Sequence, residues 1–82
     1  MEKDVEKTRV KFVYPRYPNG DREVLALFPD EKESGNCVTC YARIGQHGVA
    51  HESFLRRVRA TPEQYAPLAA ELERIGYTLE II

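Results

Sequence analysis

The sequence predicts a two-layer α+β domain in which a three-stranded antiparallel meander carries two helices on one face and a fourth strand follows at the C-terminal end (βββααβ). Three observations predict this class. Polar and apolar residues alternate with a period of two in residues 8–14, 37–44 and 77–82, as in strands. An apolar run fills most of 23–28, and 61–75 combines a helix-capping signal with helical periodicity. The last strand is expected at a sheet edge or beside the first strand.

The first two strands are expected to form a hairpin. In residues 8–14, Val10, Phe12 and Tyr14 fall on one side of the strand and basic residues fall on the other. Asn19-Gly20 can adopt the positive φ angles of a tight turn, so the chain is predicted to reverse there. The continuous apolar character of residues 23–28 predicts a strand that is covered on both faces and lies in the middle of the core.

The third strand is predicted after a solvated loop. Residues 29–36 contain turn formers and four charges, which favours a loop. In residues 37–44, Cys40 lies on the apolar face and Tyr41 on the polar face, so one buried face is expected. Gly45 and Gly48 then predict a turn between this strand and the next element.

Two helices are predicted next. The first is a short amphipathic helix that follows the glycine turn, because apolar residues recur there at helical spacing. Its stripe consists of His51, Phe54, Leu55 and Val58.

The second helix has a clear beginning and end in the sequence. Thr61 is placed as N-cap, Pro62 occupies the first helical position, and Gln64 can complete a capping box. Gly76 is placed to end the helix in a left-handed conformation. Pro67 predicts a distorted first turn, or a regular helix that begins only at Pro67, because proline removes a helical hydrogen bond and clashes with the preceding turn.

Composition limits the class of protein. The chain has 82 residues, of which 43% are hydrophobic and 30% charged, and its net charge is -1. A chain of this length supports a single core, so residues 8–82 are expected to form one domain behind a disordered tail of residues 1–7. The near-neutral charge provides no general attraction to nucleic acid or to anionic membranes. Neither a spanning segment nor a signal-peptide pattern is visible, and we expect a cytoplasmic protein with reduced thiols.

Several segments resemble a known group of sequences. They are Val24-Leu-Ala-Leu-Phe-Pro-Asp30, Ile44-Gly-Gln-His-Gly48, Ala60-Thr-Pro-Glu-Gln-Tyr65 and Glu71-Leu-Glu-Arg-Ile-Gly-Tyr77. Together they are similar to small uncharacterised single-domain proteins of gut bacteria and their mobile elements, over the chain from about Val10 to its end. The resemblance implies one fold unit and assigns no activity. Pro67 and the Cys37/Cys40 pair are departures from the group, which argues against a shared metal site.

The chain carries one set of soft metal ligands. Cys37 and Cys40 are followed by His47 and His51, and two thiolates with two imidazoles could hold zinc. The spacing between the pairs is too short for a zinc finger, and residues three apart in a strand point to opposite faces. We therefore predict no metal and no cofactor, and keep a metal or thiol site at Cys37/Cys40 as the third hypothesis for function.

The candidate binding residues are Gln46, His47, Arg56, Arg57 and Arg59. His47 lies in the predicted strand-to-helix turn, where side chains are exposed, although the turn needs its glycines for structural reasons alone. The three arginines could form a basic patch on the first helix, diluted by acidic neighbours. Nucleophile and acid/base motifs are missing, so we predict that the protein is not an enzyme.

The sequence thus favours an accessory or regulatory protein that acts by binding a protein partner. Weak nucleic-acid binding through the Arg56, Arg57 and Arg59 helix is the alternative.

Overall fold

A computed structural model describes residues 7–16, 20, 22–33, 35–42 and 46–82. In chain order the elements are β1 (Thr8–Val13), β2 (Leu25–Lys32), β3 (Cys37–Ala42), β4 (Gln46–His51), a 3₁₀ helix (Glu52–Arg56), α1 (Pro62–Arg74) and β5 (Leu79–Ile81). Most of the predicted disordered tail, residues 1–6, lies outside the described residues.

The strands form one five-stranded mixed sheet in the order β4-β3-β2-β1-β5. β1 to β4 are antiparallel neighbours, whereas β5 lies parallel to β1 with Val10 opposite Ile81. The last strand is therefore beside the first, at an edge. The predicted βββααβ class is wrong, because the segment expected to continue into a first helix forms a fourth antiparallel strand and only α1 is an α-helix among the described residues.

β2 is the central strand and is buried on both faces, as its apolar run predicts. Ala26 and Phe28 face α1, and Leu25 and Leu27 face the 3₁₀ helix. The core under α1, here called the helix-side core, consists of Val10, Phe12, Ala26, Phe28, Tyr41, Ala60, Leu68 and Leu72. The core on the other face, here called the opposite core, consists of Val13, Leu25, Leu27, Val38 and Cys40, with Phe54 and Leu55 of the 3₁₀ helix packed against it.

Two predictions about β2 and β3 are wrong. Residues 29–36 were expected to form a loop, but β2 continues through Pro29 to Lys32. Its pairing with β3 shifts register between Phe28 and Lys32, and such an irregularity accommodates a proline that cannot donate to the ladder. Tyr41 was expected on a polar face and is instead buried under α1, because both faces of β3 are covered.

The segment predicted as a glycine turn and an amphipathic helix is a strand followed by a 3₁₀ helix. Of the predicted turn 45–48, residues 46–48 belong to β4, where Gly48 lies opposite Cys40. Residue 45, and residues 43 and 44 of the predicted third strand, lie outside the described part of the chain. His51 ends β4 and caps the 3₁₀ helix, because its Nδ1 accepts a hydrogen bond from the Ser53 backbone N–H. Val58, expected on a buried stripe, is 68% exposed.

The start of α1 agrees with the prediction. The Gln64 backbone N–H donates to Thr61 Oγ1 at 3.3 Å, and the Thr61 N–H donates to Gln64 Oε1 at 2.8 Å. The expectation of a distorted first turn is wrong, since the helix runs without interruption from Pro62 through Pro67. Pro67 is exposed, so water can bond the carbonyl that loses its helical donor. Within the described residues, no helix is long and apolar enough to cross a membrane.

α1 ends in a Schellman motif centred on Gly76. The Tyr77 N–H donates to the Leu72 carbonyl at 3.0 Å, and the Gly76 N–H donates to the Glu73 carbonyl at 3.2 Å. Gly76 has a φ of +119°, a conformation that side chains rarely adopt. The motif turns the chain back toward the sheet and places Tyr77 over β2.

We predict that Gly76→Ala lowers the free energy of unfolding by about 1 kcal/mol, because a Cβ is strained at this φ. Gly48→Ala is the matched control: φ there is not positive, and the added Cβ would lie 3.7 Å from Cys40 Sγ, an ordinary contact. Urea denaturation of both variants measures the difference. Equal stability of the two variants would show that the cap conformation carries no strain.

Candidate functional site

The structure places Gln46 and His47 far from Arg59, another of the predicted binding residues. Gln46 and His47 begin β4, at one edge of the sheet. Arg59 pairs with Val13 on the far side of β1, four strand spacings away, which is about 19 Å. Gln46 and His47 therefore do not form one surface with Arg59.

β4 presents unpaired main-chain groups at this edge. All six of its residues are in register with β3, from Gln46 opposite Ala42 to His51 opposite Cys37. The Glu52 N–H donates to the Asn36 carbonyl at 2.7 Å, so Glu52 and Asn36 form a hydrogen-bonded pair. Hydrogen-bonded and non-hydrogen-bonded pairs alternate along two antiparallel strands, so this bond shows which residues of β4 bond to β3. The even-numbered residues bond to β3, and the N–H groups of the odd-numbered residues, including Val49, point away from the sheet.

The β4 edge lacks the features that usually protect an edge strand. Edge strands are commonly kept from pairing with other chains by charged side chains, proline, bulges or short length. Residues 46–51 are Gln-His-Gly-Val-Ala-His, with no formal charge when the histidines are neutral and no proline. The Val49 side chain is 60% exposed. We call residues 46–51 the β4 edge.

The other edge of the sheet differs. β5 has three residues, and one of them is Glu80. A strand this short that carries a charge is a poor template for another chain. The sheet therefore has one protected edge and one open edge.

His47 lies on the helix-covered side of β4 and is anchored there by two tyrosines. Its Nε2 lies 2.9 Å from the hydroxyl oxygen of Tyr77, and its ring contacts the edge of Tyr41 with a centroid distance of 4.7 Å. Tyr77 in turn stacks on Phe28 at 5.3 Å. This chain of contacts connects the start of the β4 edge to the centre of the sheet.

The two tyrosines have perturbed acidities. The Tyr41 hydroxyl donates to Glu71 Oε2 at 2.5 Å, and this hydrogen bond, together with burial and the carboxylate charge, raises the pKa of Tyr41. Burial, with a smaller effect of the Glu31 charge, raises the pKa of Tyr77. Both phenols therefore stay protonated near neutral pH.

The cysteines and histidines do not converge. Cys40 belongs to the opposite core, and Cys37 lies on the other face, opposite His51, as the spacing predicts. Burial raises the pKa of Cys40, an effect partly offset by the backbone of Gly48. In the part of the chain that the structure describes, no three His, Cys, Asp or Glu side chains are arranged to hold a metal ion.

The predicted arginine patch is exposed, and part of it serves the fold. Arg57 lies over the Phe54 ring at 5.0 Å, and Arg59 donates to the Ile82 carbonyl. Lys11 reaches the Leu55 carbonyl from β1. These contacts hold the 3₁₀ helix and the C-terminal strand against the sheet.

A cleft of about 400 Å³ lies between the start of α1 and the β1–β2 hairpin. Tyr14, Arg22, Glu23 and Gln64 are among its lining residues, and the Arg22 guanidinium lies 5.5 Å from the Tyr14 ring centre. Arg22 and Glu23 carry opposite charges, so the cleft favours neither an anionic nor a cationic ligand.

Sequence reasoning missed Val49, Tyr41 and Tyr77 as components of a site. Gly45 and Gly48 suggested a turn, which hid the strand β4 that runs through Gly48. The signal available in the sequence was the run of six residues 46–51, which contains no Asp, Glu, Lys, Arg or proline and has the β-branched Val49 within it.

Comparison with known proteins gives no further guidance, because no family model, curated protein or solved structure matches this chain. The resemblance to proteins of gut bacteria and their mobile elements stays a prediction.

We predict that His47→Ala and Tyr77→Phe each lower the free energy of unfolding by about 0.5–1 kcal/mol, the usual net contribution of one hydrogen bond. The double variant should cost less than the sum of the two, because both changes remove the same bond between Nε2 and the hydroxyl group. Urea denaturation of the four proteins measures this coupling. Strict additivity would mean that the bond contributes nothing to stability.

Proposed function

We propose that this protein is a small binding protein that recognises an extended segment of a protein partner by pairing it with the β4 edge. One observation supports this proposal above the others: a regular, uncharged edge strand with outward N–H groups at its odd-numbered residues and an apolar side chain, Val49, that is 60% exposed. Strand addition draws its affinity from main-chain hydrogen bonds and its specificity from alternate side-chain contacts.

The side chains along the β4 edge define what a partner strand would meet. On the helix-covered face it would meet Val49 flanked by His47 and His51. On the other face it would meet Gly48 and Ala50, which are small. A partner with an apolar residue near Val49 and a bulky residue over Gly48 fits this pattern, because a large side chain can cover an edge glycine.

The anchoring of His47 supports this role. An edge strand that binds another chain must hold its shape in order to limit the entropy lost on association. The contacts of His47 with Tyr41 and Tyr77 fix the start of β4 while leaving Val49 open. The histidine is thus proposed as a support for the binding edge.

The nucleic-acid alternative has less support, since Arg57 and Arg59 make contacts within the chain. A cytoplasmic location remains part of the proposal, because both cysteines are free and lie on opposite faces of the sheet.

We predict that Val49→Pro weakens capture of the partner from the native cell by about tenfold or more, because proline removes an outward N–H and places a ring at the edge. No hydrogen bond to β3 is lost, so the variant should stay folded. Ile81→Pro is the matched control, since alternation in β5 points the Ile81 N–H away from β1 and its side chain is 44% exposed. Quantitative mass spectrometry of proteins recovered with tagged wild type and both variants measures the effect.

The position of contact is tested by a photo-crosslinking amino acid placed at position 49 or 81. A protein adduct formed at 49 and weakly or not at all at 81 supports the proposal. The proposal is wrong if Val49→Pro recovers the same proteins as wild type, or if the adduct at 49 contains nucleic acid instead of protein.

A further inference from the structure

We propose that a second copy of this chain is an occupant of the β4 edge, in an antiparallel dimer whose two-fold axis passes between the two Val49 residues. The proposal rests on the proposed function, because it uses the same edge, and it names one partner for that edge. Three properties of β4 support it: a nearly symmetric sequence, the direction of its outward main-chain groups, and the absence of Asp, Glu, Lys and Arg from residues 46–51.

The sequence of β4 is nearly symmetric about Val49. Read outward from Val49, the neighbours are Gly48 and Ala50, then His47 and His51. A two-fold interface brings the same surface of both copies together, so it requires a patch that complements itself. Antiparallel pairing about Val49 places valine opposite valine, small residue opposite small residue and histidine opposite histidine.

The main-chain groups select this register. Outward groups belong to the odd-numbered residues of β4, so each odd-numbered residue must lie opposite an odd-numbered residue of the second copy. A dimer centred on Val49 forms three such pairs. Val49 lies opposite Val49 of the second copy, His47 lies opposite its His51, and His51 lies opposite its His47. Centring the dimer on Gly48 or Ala50 forms only two within the range of β4. Val49 is therefore the centre that uses most of the open edge.

The side chains permit close approach on both faces. On the helix-covered face the two Val49 side chains, each 60% exposed in a single copy, would cover one another. Side chains directly opposite each other on one face of an antiparallel pair are close enough to interact. On the other face the pairs consist of Gly48 and Ala50, which leave room for the backbones.

The expected dimer is weak. Pairing of about five residues from each copy buries less than the ~1,000 Å² that stable interfaces exceed, so a dissociation constant in the range of tens to hundreds of micromolar is expected. A weak dimer would protect the open edge while still giving way to a tighter partner strand.

The test is sedimentation of the purified full-length chain from about 5 to 500 µM, a range that brackets the expected dissociation constant. We expect a reversible monomer–dimer equilibrium for wild type and for Ile81→Pro, and a monomer throughout for Val49→Pro. Val49→Lys should also be monomeric and leaves the backbone unchanged, so it guards against a folding defect in the proline variant. Circular dichroism checks the fold of each protein.

The register is tested by disulfide formation in a Cys37→Ser background, which removes the half-buried native thiol. Val49→Cys should form a dimer on mild oxidation, because directly opposite Cα atoms lie about 5.5 Å apart, within disulfide range. Ala50→Cys should not, because the two Ala50 Cα atoms would be about 8 Å apart, beyond that range.

The outcomes separate the two proposals. A wild type that is monomeric at the highest concentration, or a dimer that survives both Val49 variants, overturns the dimer and leaves partner capture to decide the proposed function. A cross-link through Ala50→Cys in preference to Val49→Cys overturns the stated register. Loss of the dimer in Val49→Pro with unchanged capture of other proteins overturns the proposed function and leaves the dimer standing.

Discussion

The burial of β2 on both faces is the constraint on which the rest of this structure depends. Leu25, Ala26, Leu27 and Phe28 are consecutive and each is at most 6% exposed. Because successive side chains of a strand point to opposite faces, this run needs cover on both sides of the sheet. α1 covers one side and the 3₁₀ helix the other. The chain therefore has to cross from one face of the sheet to the other between the 3₁₀ helix and α1. It crosses beside β1, on the side away from β2, where the Ala60 N–H donates to the Phe12 carbonyl.

The same constraint leaves β4 partly uncovered. A helix is about 10 Å wide and covers two or three strands, whereas the centres of five strands span about 19 Å. α1 packs on the centre of the sheet, so the outer strands receive less cover. Tyr77 extends the cover, because the Schellman motif directs it onto Phe28 and within reach of His47. This cover ends before Val49, which belongs to neither core.

The sequence predicted the structure correctly at positions where a single short-range interaction decides the backbone conformation or the burial. The capping box of Thr61 and Gln64, the left-handed Gly76 and the two-sided burial in β2 all follow from short-range chemistry and were predicted correctly. The separation of Cys37 and Cys40 onto opposite faces also follows from strand periodicity alone.

Tertiary contacts decided the elements that sequence reasoning missed. Gly48 suggests a turn, but pairing with Cys40 overrides the low strand propensity of glycine. Pro29 suggests the end of a strand, but a shift in register accommodates it. Tyr41 has a polar hydroxyl group, yet Glu71 on α1 accepts its hydrogen bond and allows burial. The candidate site was only half predicted, because His47 is recognisable as a residue while an open edge exists only once the neighbouring strand is known.

The identity of residue 49 bears on whether the open edge is a by-product of folding. Strand propensity alone does not require valine there, because threonine is also β-branched and suits a strand equally well. Threonine does occupy the position opposite Val49 on β3, where the Thr39 hydroxyl group donates a hydrogen bond to Glu33. Packing does not require valine either, since Val49 belongs to neither core. Lysine at this position would protect the edge without disturbing a buried contact. An apolar side chain that contributes to neither core, on a strand without protective charge, is what an edge that pairs with another chain requires.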